Sequence, residues 1–296
     1  MWVLLAFGSA IFAGITGILS KIGMQKINSN LGTALRTVVV LIFTWIMVVI
    51  VRGYESFAVM KPINYIFIVL SGACTGLSWL AYFRALQLGN INKVTPVDKS
   101  STILTMLLSF IILNESISLN LVLGIIFIGV GTYLMITKKD ILDTKNEKRS
   151  WLIYAILAAI FASLTSILAK LGMEGINSQL ATALRTGVVL IMSWIIVFST
   201  NRHKEIKHIN RRSWIFIILS GIATGISWLC YFQAIQDGVN SVVVPIDKLS
   251  IVFTVVFSYF ILKEKLTRKS FIGLVLIVVG TLAILFVPEL FNFTLR

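Results

Sequence analysis

The sequence is written twice, without a gap between the matching positions. Trp2, Lys21, Gly23, Met24, Asn28, Arg36, Trp45, Gly72, Trp79, Tyr82, Pro96, Asp98, Lys99 and Gly131 recur as Trp151, Lys170, Gly172, Met173, Asn177, Arg185, Trp194, Gly221, Trp228, Tyr231, Pro245, Asp247, Lys248 and Gly280. The offset is constant: 185 − 36, 247 − 98 and 280 − 131 all equal 149. Each copy reads as five apolar segments, an odd number, so the second copy must enter a membrane from the opposite side. Inverted repeats in a bilayer are the architecture of alternating-access transporters. Transport is therefore the function class to which the pattern points first.

Composition supports the membrane. Hydrophobic residues make up 57% of the 296 residues and charged residues 13%, with a mean hydropathy of +0.94. A soluble domain carries about 25% charged residues. Apolar runs of about 20 residues recur, the length that crosses a hydrocarbon core about 30 Å thick. The spans are expected at 2–20, 31–50, 64–86, 91–113 and 119–137, then at 151–169, 180–199, 213–234, 241–262 and 268–287. The expected fold is an all-α membrane protein of ten transmembrane helices in two inverted five-helix repeats. The repeats occupy 1–137 and 151–287, with a charged linker at 138–150 and a short tail at 288–296.

The net charge of +14 does not imply nucleic acid as a partner, because basic residues of membrane proteins gather in cytoplasmic loops. The side holding the loops after spans 1, 3, 5, 7 and 9 carries 17 of the 26 Lys and Arg residues, and the other side carries 4. The positive-inside rule makes the crowded side cytoplasmic and puts both termini of a multi-pass cell-membrane protein outside. No basic stretch precedes Trp2, so no cleavable leader is expected. Cys74 and Cys230 lie inside apolar runs and do not match under the offset. There is no CxxC or other metal spacing, no nucleophile–base set and no phosphate loop. Neither a metal, a cofactor nor an enzyme is expected.

Five basic residues remain inside spans, Arg36, Arg84, Lys99, Arg185 and Lys248, with two acids, Asp98 and Asp247. Ionisable groups at membrane depth are costly and face a bundle interior or a wet cavity. Arg36 and Asp98 each lie about 10 Å from the start of their helices on one membrane side, so an Arg36–Asp98 contact beside Lys99 is expected, mirrored by Arg185, Asp247 and Lys248. Such clusters serve as gates or simply fix helix registry. Two bases to one acid favour an anionic group on a solute; alternatively the aspartates titrate and a proton is the coupling ion. Pro96 and Pro245 open spans 4 and 9 and free a backbone carbonyl, as a fixed kink or a hinge. Thr105 and Thr254 follow the aspartates by seven residues, on the same face.

Spans 3 and 8 carry the other polar stripe: Ser71, Thr75, Trp79 and Tyr82, repeated as Ser220, Thr224, Trp228 and Tyr231. The aromatic members wall a pocket or join an interfacial belt. Gly72/Gly76 and Gly221/Gly225 read as small-residue packing patches. Lys21 and Lys170 at span ends are expected to snorkel to the headgroups.

VTPVDKSS (94–101) before LNES (113–116), VVPIDKLS (243–250) before LKEK (262–265), and the closing G-x6-G-T of each copy resemble the EamA family of the drug/metabolite transporter superfamily. The resemblance spans nearly the whole chain. It implies ten helices, a central cavity lined mainly by spans 3, 4, 8 and 9, and secondary transport without ATP. Family members commonly keep both termini in the cytoplasm, and the charge count departs from that.

The leading expectation is a secondary active transporter of small polar metabolites, anionic or zwitterionic and amino-acid-like. Its binding or gating residues are Trp79, Tyr82, Asp98, Lys99, Thr105, Trp228, Tyr231, Asp247, Lys248, Thr254, Arg36 and Arg185, with Pro96 and Pro245 as hinges. The alternatives are an exporter of aromatic or cationic compounds, a lipid head-group flippase and a membrane scaffold. The expected partners are a small-molecule solute, a coupling proton and membrane lipids.

Overall fold

The computed structural model describes residues 1–25, 27–89, 91–114, 119–135, 150–263 and 267–286. Every regular element among them is helical. In chain order they are α1 (Trp2–Gly23), α2 (Ser29–Ile50), α3 (Pro62–Leu88), α4 (Ile91–Lys99), α5 (Ser101–Leu113) and α6 (Leu119–Met135). The second half supplies α7 (Ser150–Gly172), α8 (Ser178–Ser199), α9 (Arg211–Asp237), α10 (Asn240–Lys248), α11 (Ser250–Phe257) and α12 (Arg268–Phe286). Among the described residues, seven segments are long and apolar enough to cross a membrane, one of them the composite Asn240–Ile261, and Ser101–Leu113 and Leu119–Met135 are shorter apolar helices. The linker from 138 to 149, the tail beyond 287, and Glu115 and Glu264 lie outside the described residues.

The sequence offset reappears as structure. α2 and α8, α3 and α9, and α4 and α10 each begin and end 149 residues apart. At the starts of α2 and α8 the same local chemistry sets the boundary. Asn28 caps α2 by accepting from the Asn30 amide at 3.0 Å, and Asn177 caps α8 by accepting from Gln179 at 3.0 Å and Leu180 at 3.3 Å, which satisfies donors that a helix start leaves open. Left-handed backbone at Arg52 and Asn201, and at Asn114 and Lys263, ends helices at matched positions.

The helices pair across the two copies. α1 packs along α9 and against α10 and α11, α7 along α3 and against α4 and α5, α2 against α8, and α6 against α12. Ala6 near the start of α1 shares a cluster with Ala169 and Met173 at the end of α7, while Ile18 and Met24 at the end of α1 share another with Trp151 and Ala155 at the start of α7. The bundle thus has two chemically similar ends. The α6–α12 crossing needs glycine: a Cβ on Gly131 would lie 2.5 Å from the Gly273 carbonyl oxygen. Outward faces are apolar, with Ile42, Ile46 and Val49 of α2 and Ile191, Ile195 and Phe198 of α8 all exposed. Such a continuous apolar belt fits a lipid surround.

Spans 4 and 9 are broken helices. At Ser100 and Leu249 the ladder tightens to i→i−3 bonds, Ser100 N–H to Val97 O at 3.2 Å and Leu249 N–H to Ile246 O at 3.0 Å. The interruption falls one turn after Pro96 and Pro245, and Pro245 itself stays inside α10. Proline removes a bond to the residue four before it, but the bend appears where the chain leaves the Asp-Lys pair.

Candidate functional site: a central polar cavity

A cavity of about 170 Å³ lies in the middle of the bundle, bordered by α1–α4 and α7–α10. Its wall is almost symmetric. Thr16, Arg36, Thr75, Ser78, Trp79, Tyr82, Phe83 and Asp98 line it together with their 149-offset mates Thr165, Arg185, Thr224, Ser227, Trp228, Tyr231, Phe232 and Asp247. Trp79 and Trp228 meet with ring centroids 4.5 Å apart. The hydroxyls of Thr16 and Thr224, and of Thr75 and Thr165, approach to 3.2 Å across the repeats.

The two arginines are buried, and glycines set their positions. A Cβ on Gly72 would stand 2.9 Å from the Arg185 carbonyl oxygen, and one on Gly221 would stand 3.1 Å from that of Arg36. α3 and α9 can therefore lie flat against the arginine-bearing turns of α8 and α2. The Arg36 guanidinium donates to Ser20 Oγ at 2.9 Å and sits 4.4 Å from the Trp79 ring centroid and 4.3 Å from that of Phe83. Arg185 donates to Thr75 Oγ1 at 3.0 Å and lies 3.8 Å from the Phe232 centroid and 5.3 Å from that of Trp228. Cation–π contacts of this kind are worth about 2 kcal/mol when desolvated. They do not use the N–H donors. Nε of Arg36 and both Nε and Nη1 of Arg185 are buried without a hydrogen-bond partner.

The Arg36–Asp98 ion pair expected from helix depth is absent among the described residues. Each arginine instead stacks on the aromatic pair beside it, and each aspartate faces the cavity separately. Asp247 is buried and accepts a hydrogen bond from Ser9 Oγ at 2.5 Å. Asp98 is half-buried.

Comparison with known proteins fits this arrangement. The model of the EamA-like transporter family matches twice, at residues 1–137 and 149–286. The chain belongs to the EamA-like transporter family. It is a multi-pass membrane protein. An uncharacterized transporter of a Sinorhizobium species is 43% identical over 134 residues, 45% of this chain and 95% of that protein. An uncharacterized transporter of Archaeoglobus fulgidus is 22% identical over 97% of this chain and 98% of its own length. A Latilactobacillus sakei protein named "Putative ribose uptake protein RbsU" is 25% identical over 94% of this chain and 92% of its own length. A solved crystal structure shares the fold with a TM-score of 0.73 at 16% identity, over 95% of each chain.

Of the residues singled out in the sequence of this EamA-family chain, Trp79, Tyr82, Asp98, Arg36 and their four mates line one cavity. Thr105 and Thr254 do not. They lie about 10 Å further along the span than the aspartates. Thr105 Oγ1 is turned back to the Ser101 carbonyl at 3.0 Å, and Thr254 is buried where α11 packs closely on α1, its backbone nitrogen 3.2 Å from where a Cβ on Gly14 would stand. Lys99 and Lys248 end α4 and α10; their side chains, like that of Pro96, lie outside the described residues. Lys170 does not snorkel: its Nζ donates to the Ile235 and Gly238 carbonyls, both at 2.7 Å. The open carbonyls at the end of α9 are a nearer partner than any headgroup.

Sequence reasoning missed the contribution of spans 1 and 6 and part of that of spans 3 and 8. Thr16 and Thr165, Ser78 and Ser227, and Phe83 and Phe232 all match under the offset and could have been found by it. Ser9 could not, because its mate is Ala158.

Proposed function

We propose that this protein is a secondary active transporter of a small solute bearing a carboxylate or similar oxyanion, zwitterions included, working by alternating access between two inverted five-helix repeats. One observation carries the reading: buried guanidinium N–H groups of Arg36 and Arg185 stand without partners at the wall of a polar cavity. Leaving a buried donor unsatisfied costs about 1–3 kcal/mol, more when it is charged. Solute oxygens are the acceptors that remove this cost. Two aspartates in the same wall accept from an ammonium or hydroxyl group of the same solute, and the stacked Trp79 and Trp228 close on its apolar part.

Size argues against the alternatives. A cavity of about 170 Å³ is below the range of roughly 300–1,000 Å³ typical of drug-sized ligands. A multidrug substrate or a lipid head group with its chains would need a larger or laterally open site. A sugar is the second reading. The Trp pair supplies an apolar face for a pyranose or furanose ring, the arginines and aspartates are a hydroxyl-binding set, and one full-length relative is named for ribose uptake. The excess of basic residues on the side of the loops after spans 1, 3, 5, 7 and 9, 17 against 4, supports a cytoplasmic placement of that side, with both termini outside.

The test is a thermal-shift panel of the purified protein against amino acids, hydroxy acids, ribose and lipophilic cations, followed by counterflow in proteoliposomes with any stabilising compound. Stabilisation by carboxylates, lost in Arg185→Gln, supports the leading reading. Stabilisation by lipophilic cations alone, lost in Asp98→Asn/Asp247→Asn, would sink it. A response to ribose without carboxylates selects the sugar.

A further inference from the structure

The wall of the cavity obeys the 149-residue offset at every charged and aromatic position and breaks it at two small ones, Gly17, whose mate is Ser166, and Ser9, whose mate is Ala158; the second touches an aspartate. At Asp247 the arrangement is a short chain: Ser227 Oγ donates to the Ser9 carbonyl at 3.1 Å, Ser9 Oγ donates to Asp247 Oδ1 at 2.5 Å, and the two serine hydroxyls stand 3.2 Å apart. At Asp98 the scaffold is reproduced. Ser78 Oγ donates to the Ala158 carbonyl at 2.9 Å, the mate of the Ser227–Ser9 bond. Only the last atom is missing, because residue 158 is alanine. Asp247 is 8% exposed, whereas Asp98 is half-buried at the cavity wall, and no described side chain donates to it in a hydrogen bond of the kind Ser9 makes to Asp247.

A hydrogen bond to a charged acceptor is among the stronger polar contacts in a protein. A carboxylate that already holds one in a confined site is a poorer partner for an incoming donor than one that holds none. We propose that the two aspartates are not equivalent: Asp98 is the carboxylate that receives the solute's N–H or O–H donor, and Ser9 holds Asp247 out of that role. Ser9 is then a positioning residue, and the Ser9/Ala158 mismatch is what gives a nearly symmetric cavity one preferred orientation for a solute. The donor end points to Asp98, and its oxygens point to the unpaired N–H groups of Arg185. The assignment of a solute rests on the transport reading; the inequality of the carboxylates does not.

Carbodiimide labelling of the full-length protein in lipid nanodiscs, with each aspartate quantified by peptide mass spectrometry, tests the inequality without knowledge of the solute. In the parent protein Asp98 reacts faster than Asp247. Ser9→Ala raises the rate at Asp247 by about tenfold, the scale of a lost charge-assisted hydrogen bond. Ala158→Ser, which installs the missing hydroxyl, lowers the rate at Asp98 toward that of Asp247. Because the second variant adds an atom rather than removing one, it answers the question even where Ser9→Ala folds poorly. A ratio of rates that ignores both substitutions overturns the proposal. If the ratio responds but no solute of the panel stabilises the protein, the inequality stands and the transport reading falls. If counterflow is found and the ratio does not respond, the reverse holds.

Discussion

The two ends of the bundle are built on matched positions and, among the described residues, show different polar ties. At the end where α7 finishes, Lys170 clasps the carbonyls of Ile235 and Gly238 at 2.7 Å, Gln236 Nε2 donates to the Met173 and Ile176 carbonyls, and Asn64 Nδ2 donates to those of Gly172 and Glu174, both at 3.0 Å. At the end where α1 finishes, Lys21 reaches the Gly89 carbonyl at 3.5 Å and Gln87 keeps the bond to Ile27 O at 2.7 Å. A cavity of about 260 Å³ opens there among Ser20, Lys21, Met24 and Gln87, and one of about 210 Å³ beside Ile27 and Ser213. Phe83 borders both the larger of these and the central cavity. The difference teaches how a duplicated chain can tie its two ends unequally. On the proposed alternating-access reading, in which the end at Lys170 is the closed one and the end at Lys21 the open one, a handful of polar contacts would set the energy between the two arrangements of a nearly symmetric fold.

The largest expected effect comes from the arginines, which tie each end to the cavity. Arg36 is anchored to Ser20, beside the open cavity, and Arg185 to Thr75, across the repeats. If both receive the solute as the ends exchange, Arg36→Gln and Arg185→Gln each lower counterflow by about 100-fold or more, the scale for truncating one member of a buried charged contact. Retained activity in either single variant would break the two-ended picture and leave a cavity served by one arginine.

Next comes the latch. Lys170→Met removes two charge-assisted bonds, worth about 1.5–3 kcal/mol, which loosens the closed end by roughly 10- to 100-fold in population. The readout is the rate at which a small polar maleimide reacts with Met173→Cys. Met24→Cys, its mate beside the cavity of about 260 Å³, reacts faster in the parent background. A rate at Met173→Cys that ignores Lys170→Met would show that this end is held by packing rather than by these contacts.

Much of this molecule was legible in its sequence, and the rest was hidden for definable reasons. The helix limits of α2, α3 and α4 repeat at α8, α9 and α10, and the offset finds them, although at their described starts only the Asn28/Asn177 cap is shared and α3 and α9 start differently, at Lys61 and Asn210. The cavity walls follow because Trp79, Tyr82 and Asp98 carry an obvious cost inside a membrane. The break at Ser100 and Leu249 was displaced from the prolines because a helix can relax one turn after the missing bond. Lys170 was misjudged because an amphipathic tail at a helix end has two outlets, headgroup and neighbouring carbonyls, and only the fold brings α9 into reach. Ser9 was invisible for a deeper reason. A repeat is found by what matches, whereas the residue that makes the halves unequal is one that does not.

The same logic applies to Asn64, whose mate is Ser213. Its amide joins the start of α3 to the last carbonyls of α7, a tie of two neutral hydrogen bonds worth about 1 kcal/mol each. Asn64→Ser makes the closed end chemically like the open one, and raises labelling of Met173→Cys by about fivefold, less than the loss of Lys170. Ser213→Asn is the converse. The space beside Ser213 is a cavity, so an amide fits, and the equivalent carbonyls of Gly23 and Gln25 are its expected partners. Labelling of Met24→Cys should slow by a similar factor. A single residue exchanged between mates would then shift the balance of the two ends in opposite directions, which no change in general stability can do.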